Sequence, residues 1–132
     1  MPLKIASVNV DDKGESYFGE VDTLDSAGRE RPQDIAYWQV WETKPGHFAD
    51  FKPTEEPRCV ALMAGKLEIT VSTGEKRYFS RGDTFLLQDT TGKGHALRTI
   101  GIEPCQAMLI TMKAKMTEAQ QAAARPIQGE GR

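Results

Sequence analysis

A chain of 132 residues is one domain's worth, long enough to bury a core without disulfide or metal staples. Hydrophobic residues make up 39% and charged residues 27%, which is globular composition and excludes a disordered chain. No apolar run approaches the ~20 residues that span a bilayer, and Met1–Val10 lacks the apolar stretch of a secretory signal, so no membrane partner is expected. A formal net charge of −2 with no long basic block offers nothing to nucleic acid.

In chain order, Asp11–Gly14 reads as a turn before Tyr17–Val21, an expected edge strand. Asp25–Asp34 is polar, carries Gly28 and Pro32, and reads as a loop. Ile35–Glu42 holds Tyr37, Trp38, Val40 and Trp41, the aromatic and β-branched residues that strands favour. Cys59–Met63 is continuously apolar, and Gly65 separates it from Lys66–Val71, where polar Lys66, Glu68 and Thr70 alternate with apolar Leu67, Ile69 and Val71. That period of two marks a strand with one buried face. Ser72–Glu75 is a turn, so Leu67–Val71 and Arg77–Phe79 form an expected hairpin. Ser80–Asp83 is a second turn before the strand Thr84–Leu87, and a last strand runs through Ala107–Met112, expected to be covered on both faces. Thr117 caps an expected short helix over Glu118–Ala124 that Pro126 stops. Cys59 and Cys105 sit in apolar runs and are expected to be reduced, which fits a cytoplasmic location; a bridge between them is the alternative. Short strands with turns every eight to twelve residues predict an all-β sandwich or barrel.

Five residues, Gly46, Lys52, Thr54, Arg58 and Gly65, carry a more specific signature. Their spacing resembles the first motif of the cupin superfamily, in which the three positions between the glycines are usually His, His and Glu. Arg81-Gly82-Asp83 resembles the turn that opens the second motif, and His95 stands at its histidine position, two residues later than usual. The run Gln88–His95 is similar to one found in small single-domain bacterial cupins. The resemblance implies a double-stranded β-helix (jelly-roll) barrel, with a core over about 35–113, an N-terminal strand and loop over 1–34, and the helix and tail over 114–132. It also implies a homodimer, for which the Tyr17–Val21 strand is available.

Cupin enzymes commonly hold iron, manganese, nickel or zinc with three imidazoles and one carboxylate. Here those first-motif positions are Lys52, Thr54 and Arg58, and a guanidinium has no lone pair to give. With His47 and His95 the only histidines, a three-histidine site within one chain is impossible. No cofactor is therefore expected; a divalent metal on His95, His47 and Glu55, Glu56 or Asp89 is the alternative. His47 itself reads as a solvent-facing loop residue.

If the motif positions face the interior as in cupins, Lys52, Thr54, Arg58 and His95 converge on one pocket. Alternation puts Arg58, Val60 and Leu62 on one face. Arg58 then needs an anion: Glu68, Asp89 or Glu103 within the barrel, or the carboxylate of a ligand held by its fork. The expected function is binding of a small anionic molecule, with His95 as candidate acid/base and Lys52 beside it. Arg58, Thr54, Trp38, Trp41, Gln88 and Asp89 are the expected ligand-binding residues. A metal-independent lyase, isomerase or cyclase would use such a site. A metal-dependent oxygenase or hydrolase with an unusual ligand set, and a non-catalytic dimeric sensor, are the other two readings.

Overall fold

The computed structural model describes residues 4–23, 27–29 and 32–113. The expected helix over Glu118–Ala124 lies outside them. Ten strands follow one another: β1 Lys4–Val10, β2 Ser16–Asp22, β3 Ile35–Thr43, β4 Phe48–Lys52, β5 Arg58–Ala64, β6 Lys66–Val71, β7 Lys76–Ser80, β8 Thr84–Leu87, β9 His95–Ile100 and β10 Cys105–Met112. They form a six-stranded sheet in the order β2-β1-β8-β5-β10-β3 and a four-stranded sheet in the order β4-β9-β6-β7. All pairings are antiparallel except β1 with β8, where Ala6, Ser7 and Val8 lie opposite Phe85, Leu86 and Leu87. This is the jelly-roll arrangement of the cupin fold.

Alternation decides what each sheet turns inward. In β6, Leu67, Ile69 and Val71 are fully buried, while Lys66, Glu68 and Thr70 face out. The outer face of this smaller sheet is charged, with Glu68 between Lys76 and Arg98 at 3.5 and 3.8 Å. From the larger sheet, Val8, Val60, Leu62, Phe85, Leu87 and Ala107 meet them, and Phe79 stacks on Phe85 with ring centroids 4.2 Å apart. Arg58, Val60 and Leu62 share the inward face as expected.

Three strands escape the sequence reading. β1 lies inside the larger sheet, and its Val8 belongs to the core. β4 has all five residues exposed, so it lacks the apolar alternation that marks a strand. β9 buries Ala96 and Thr99, a small residue and a polar one, which carries the same weak pattern. The last strand also differs from expectation: Ala107 and Thr111 are buried, but Met108 and Ile110 on its outer side are only half-covered. Cys59 and Cys105 are both free thiols, and burial pushes each above its ordinary pKa.

Gly65 joins β5 to β6 at φ 82°, with Pro104 and Cys105 backbone atoms so close that an added Cβ would lie 2.6 Å from the Pro104 carbonyl oxygen. Gly74 has a similar φ of 97° but open space around it. Gly74→Ala should therefore lose only the backbone cost, about 1 kcal/mol, whereas Gly65→Ala should lose clearly more. Urea unfolding of the two variants at equal m-value separates the contact from the backbone term.

Candidate functional site

Between the sheets, at the end where β4 and β9 face β5 and β10, lies a cavity of about 660 Å³. That volume is within the range of small-molecule sites. Val60, Leu67, Phe85 and Leu87, which are core residues, form its apolar floor, with Leu97 and Leu109 beside them. Trp41 adds an aromatic wall, and the exposed His47, Asp50, Phe51, Lys52 and Glu55 surround the mouth.

Two elements bring the titratable groups together. Lys52 and His95 are directly paired across β4 and β9, so both side chains fall on the cavity side. Arg58 opens β5 in the facing sheet, in a row that runs Leu87, Arg58, Thr111, Tyr37. Its Nε donates to the buried Thr111 hydroxyl at 3.2 Å, and among the described residues it has no carboxylate partner. The expected internal partners are engaged elsewhere or absent: Glu68 is held by Lys76 and Arg98 on the outside, Asp89 is held by His95, and Glu103 makes no ion pair with it.

The closest polar contact of the site joins His95 Nδ1 to Asp89 Oδ2 at 2.6 Å. Asp89 is fully buried and His95 nearly so, at 0% and 10% side-chain exposure. A carboxylate accepts, so Nδ1 carries the proton and donates; this leaves Nε2 as the nitrogen available to a molecule in the cavity. Among the described residues Asp89 Oδ1 is buried without a hydrogen-bond partner, so within them the carboxylate's side-chain partner is His95. The Asp89 backbone carbonyl accepts from Thr54 N at 3.1 Å, which fastens the segment after β4 to the same loop.

That loop, between β8 and β9, is clasped to the β1–β2 turn. Ser16 Oγ donates to the Gly94 carbonyl at 2.7 Å and Lys93 N donates to the Gly14 carbonyl at 2.9 Å. The Lys93 ammonium meets the Glu15 carboxylate, which also accepts from Ser72 Oγ; these contacts hold Glu15 below its ordinary pKa. Gly94, at φ 76°, packs directly on the Lys52–Pro53 peptide, where any Cβ would overlap backbone. The glycine therefore lets β9 approach β4 closely enough to set His95 beside Lys52.

Of the residues expected from sequence, Lys52, Thr54, Arg58, Trp41 and His95 line the cavity. Thr54 is buried and its hydroxyl donates to the Glu56 carbonyl at 2.9 Å, a local structural bond. Asp89 sits behind His95 and does not reach the cavity, which corrects its expected ligand contact to a contact with the histidine. Trp38 and Gln88 are corrections of another kind. Parity places Trp38 on the outer face of the larger sheet, opposite Ile110, 59% exposed, and Gln88 is an exposed loop residue whose backbone N donates to the Val8 carbonyl. His47 is exposed as expected, yet it lines the mouth, because the β3–β4 turn folds back over Thr99. Tyr37, on the inner face, reaches Glu56 and not the cavity. Asp50 and Leu97 line the cavity unforeseen, since both belong to the strands that sequence alternation does not reveal.

The donor set does not fit the metal of a typical cupin. Lys52, Thr54 and Arg58 stand where the motif resemblance places three ligands, His95 has one nitrogen committed to Asp89, and among the described residues no three His, Cys, Asp or Glu side chains cluster at metal-binding distance.

Removing the imidazole strands a buried carboxylate. His95→Ala should destabilise the fold by about 1.5–3 kcal/mol, and adding Asp89→Asn should restore part of that loss. A double-mutant cycle in urea shows it as a coupling energy; strict additivity would refute the pairing.

Among the curated proteins none matches the chain. Several solved structures resemble it at low identity. The polyketide cyclase RemF from Streptomyces resistomycificus is 11% identical with a TM-score of 0.51, covering 92% of this chain and 89% of its own. The cupin domain of Schizosaccharomyces pombe Cnp3 is 14% identical with a TM-score of 0.50, covering 93% and 90%. The dimethylsulfoniopropionate (DMSP) lyase DddQ from Ruegeria pomeroyi is 20% identical with a TM-score of 0.51, but this chain spans only 46% of it and aligns over 71% of its own length. These likenesses establish the fold. The model of the EutQ-like cupin domain matches residues 30–100, more than half of the sequence, and this chain belongs to that family.

Proposed function

We propose that the barrel binds a small organic anion and moves a proton on it without a resident metal. The observation that carries this reading is Arg58, a permanent cation in the cavity wall whose hydrogen-bond partner among the described residues is the Thr111 hydroxyl, with no carboxylate paired to it. A guanidinium in a largely apolar cavity is costly unless an anion shares it, and its two terminal nitrogens match a carboxylate's two oxygens. Lys52 adds a second positive charge at the mouth. Trp41, Leu97 and Leu109 supply apolar walls for the body of the molecule.

The His95–Asp89 pair supplies the chemistry. Asp89 holds the imidazole in the tautomer whose Nε2 accepts a proton, and its buried charge stabilises the imidazolium that results. An imidazolium formed this way can return the proton at a different atom of the same molecule, which is isomerisation. It can also protonate a leaving group after the first proton has been lost, which is elimination. Both are balanced without redox partner or metal. The polyketide cyclase and DMSP lyase with the same fold are examples of small-molecule chemistry in such barrels, at identities too low to carry a substrate across.

Binding should be visible as a change in Trp41 fluorescence, read in a Trp38→Phe background because Trp38 lies outside the cavity. Titrating a panel of small mono- and dicarboxylates should give saturation that weakens about 10- to 100-fold in Arg58→Ala, the range for a charge-assisted contact. Elemental analysis of tag-free protein should show no stoichiometric iron, manganese, nickel or zinc. Metal at one per chain that is lost in His95→Ala, or carboxylate binding unchanged in Arg58→Ala, would reject the proposal.

A further inference from the structure

The cavity holds more charge than an anion site uses. Four charged side chains line it: Lys52 and Arg58 are cations, Asp50 and Glu55 are carboxylates, and their formal charges cancel. Among the described residues none of the four forms an ion pair, although Asp50 and Lys52 share one strand and Glu55 precedes Arg58 closely in sequence. Outside the barrel opposite charges do meet, as Glu68 does with Lys76 and Arg98.

The backbone explains how both signs reach one wall. From Ala49 to Lys52, β4 takes three residue steps where β9 takes two, from Leu97 to His95. The extra residue resets the alternation, so Ala49 and Lys52 both fall on the cavity side, and Asp50 and Phe51 within the irregular step border the cavity as well. Asp50 Oδ1 accepts from Phe51 N at 2.8 Å, and its second oxygen has no hydrogen bond among the described residues. Asp50, Lys52 and Glu55 are exposed at the mouth, whereas Arg58 is half-buried and donates to the fully buried Thr111. The cavity therefore runs from a cationic inner wall to a rim where carboxylates outnumber the ammonium.

We infer that the ligand is a zwitterion, an amino acid whose carboxylate sits on Arg58 and whose ammonium group lies at the rim with Asp50 and Glu55. The inference rests on the reading of Arg58 as the seat of a carboxylate, and adds what the other end of the molecule carries. A plain anion compensates Arg58 but brings its charge into a cavity that already holds two carboxylates; a plain cation leaves Arg58 unmatched. A molecule with both charges compensates both signs, and Leu97 and Leu109 give its carbon chain an apolar surface. Arg58 belongs to the larger sheet and Asp50 to the smaller, and facing sheets lie about 10 Å apart. Charges separated by several methylenes suit that span better than those of an α-amino acid.

Isothermal titration calorimetry tests this with matched pairs: β-alanine against propionate, γ-aminobutyrate against butyrate, and ε-aminocaproate against caproate. At least one amino acid should bind about fivefold or more tighter than its partner, the scale of one or two charge contacts at an open site. Its N-acetyl derivative, which has lost the positive charge, should show no such advantage. Asp50→Asn with Glu55→Gln should abolish the preference while the plain carboxylate binds no more weakly. Both changes are near-isosteric at exposed positions, and circular dichroism and thermal unfolding should show the wild-type barrel. Arg58→Ala should weaken both members of each pair. Amino acids that bind no better than their partners overturn the inference, as does a preference that survives Asp50→Asn with Glu55→Gln or that the N-acetyl derivative shares. If carboxylates bind through Arg58 and only the preference is missing, the anion site stands and the zwitterion falls. If neither class binds, the reading of Arg58 falls with it.

Discussion

Asp89 is buried completely; among the described residues one of its carboxylate oxygens has no partner, and the other rests on the His95 ring. A charge so placed is tolerable only while its single partner stays within hydrogen-bond distance. The surrounding construction serves that end. Ser16, Gly14 and Glu15 fasten the β8–β9 loop from one side, Thr54 ties Asp89 from the other, and Gly94 admits the Lys52–Pro53 backbone at close range. The β1–β2 hairpin is thereby a support for the site and not merely an extra pair of strands.

Core packing and cavity are two ends of one barrel. Stacked Phe79 and Phe85 close the interior at one end, and the side chains around them are aliphatic and fully buried. Toward the other end the inward positions become Arg58 and Thr111 in the larger sheet and His95 in the smaller one, which are polar. Close packing stops there, and a cavity remains. Strand alternation therefore accounts both for the stability of the barrel and for its pocket.

Membership in a cupin family does not by itself assign chemistry, because the barrel is shared by unrelated functions. Positions that hold metal ligands in many cupins instead present a guanidinium, an ammonium and a hydroxyl that is already bonded to the Glu56 carbonyl. Two of those groups are cations, and the carboxylates of Asp50 and Glu55 line the same cavity.

Much of this was legible in the chain itself. Lys66–Val71 reveals its buried face because alternation is strict, and the hairpin to Arg77–Phe79 follows from the turn between them. That Lys52, Thr54, Arg58 and His95 would share one pocket follows from the motif spacing, and all four line the cavity. Other features have no local signal. β4 and β9 show no regular apolar alternation to announce them, and Trp38 and Trp41 look alike until pairing with β10 sends one outward and the other into the cavity. The partnership of Asp89 with His95 depends on how a seven-residue loop is clasped by the distant β1–β2 turn. Residue chemistry thus determined which groups the chain offers to the site. Only the tertiary structure decided which of them meet, because facing and partnership are set by strand register between segments far apart in sequence.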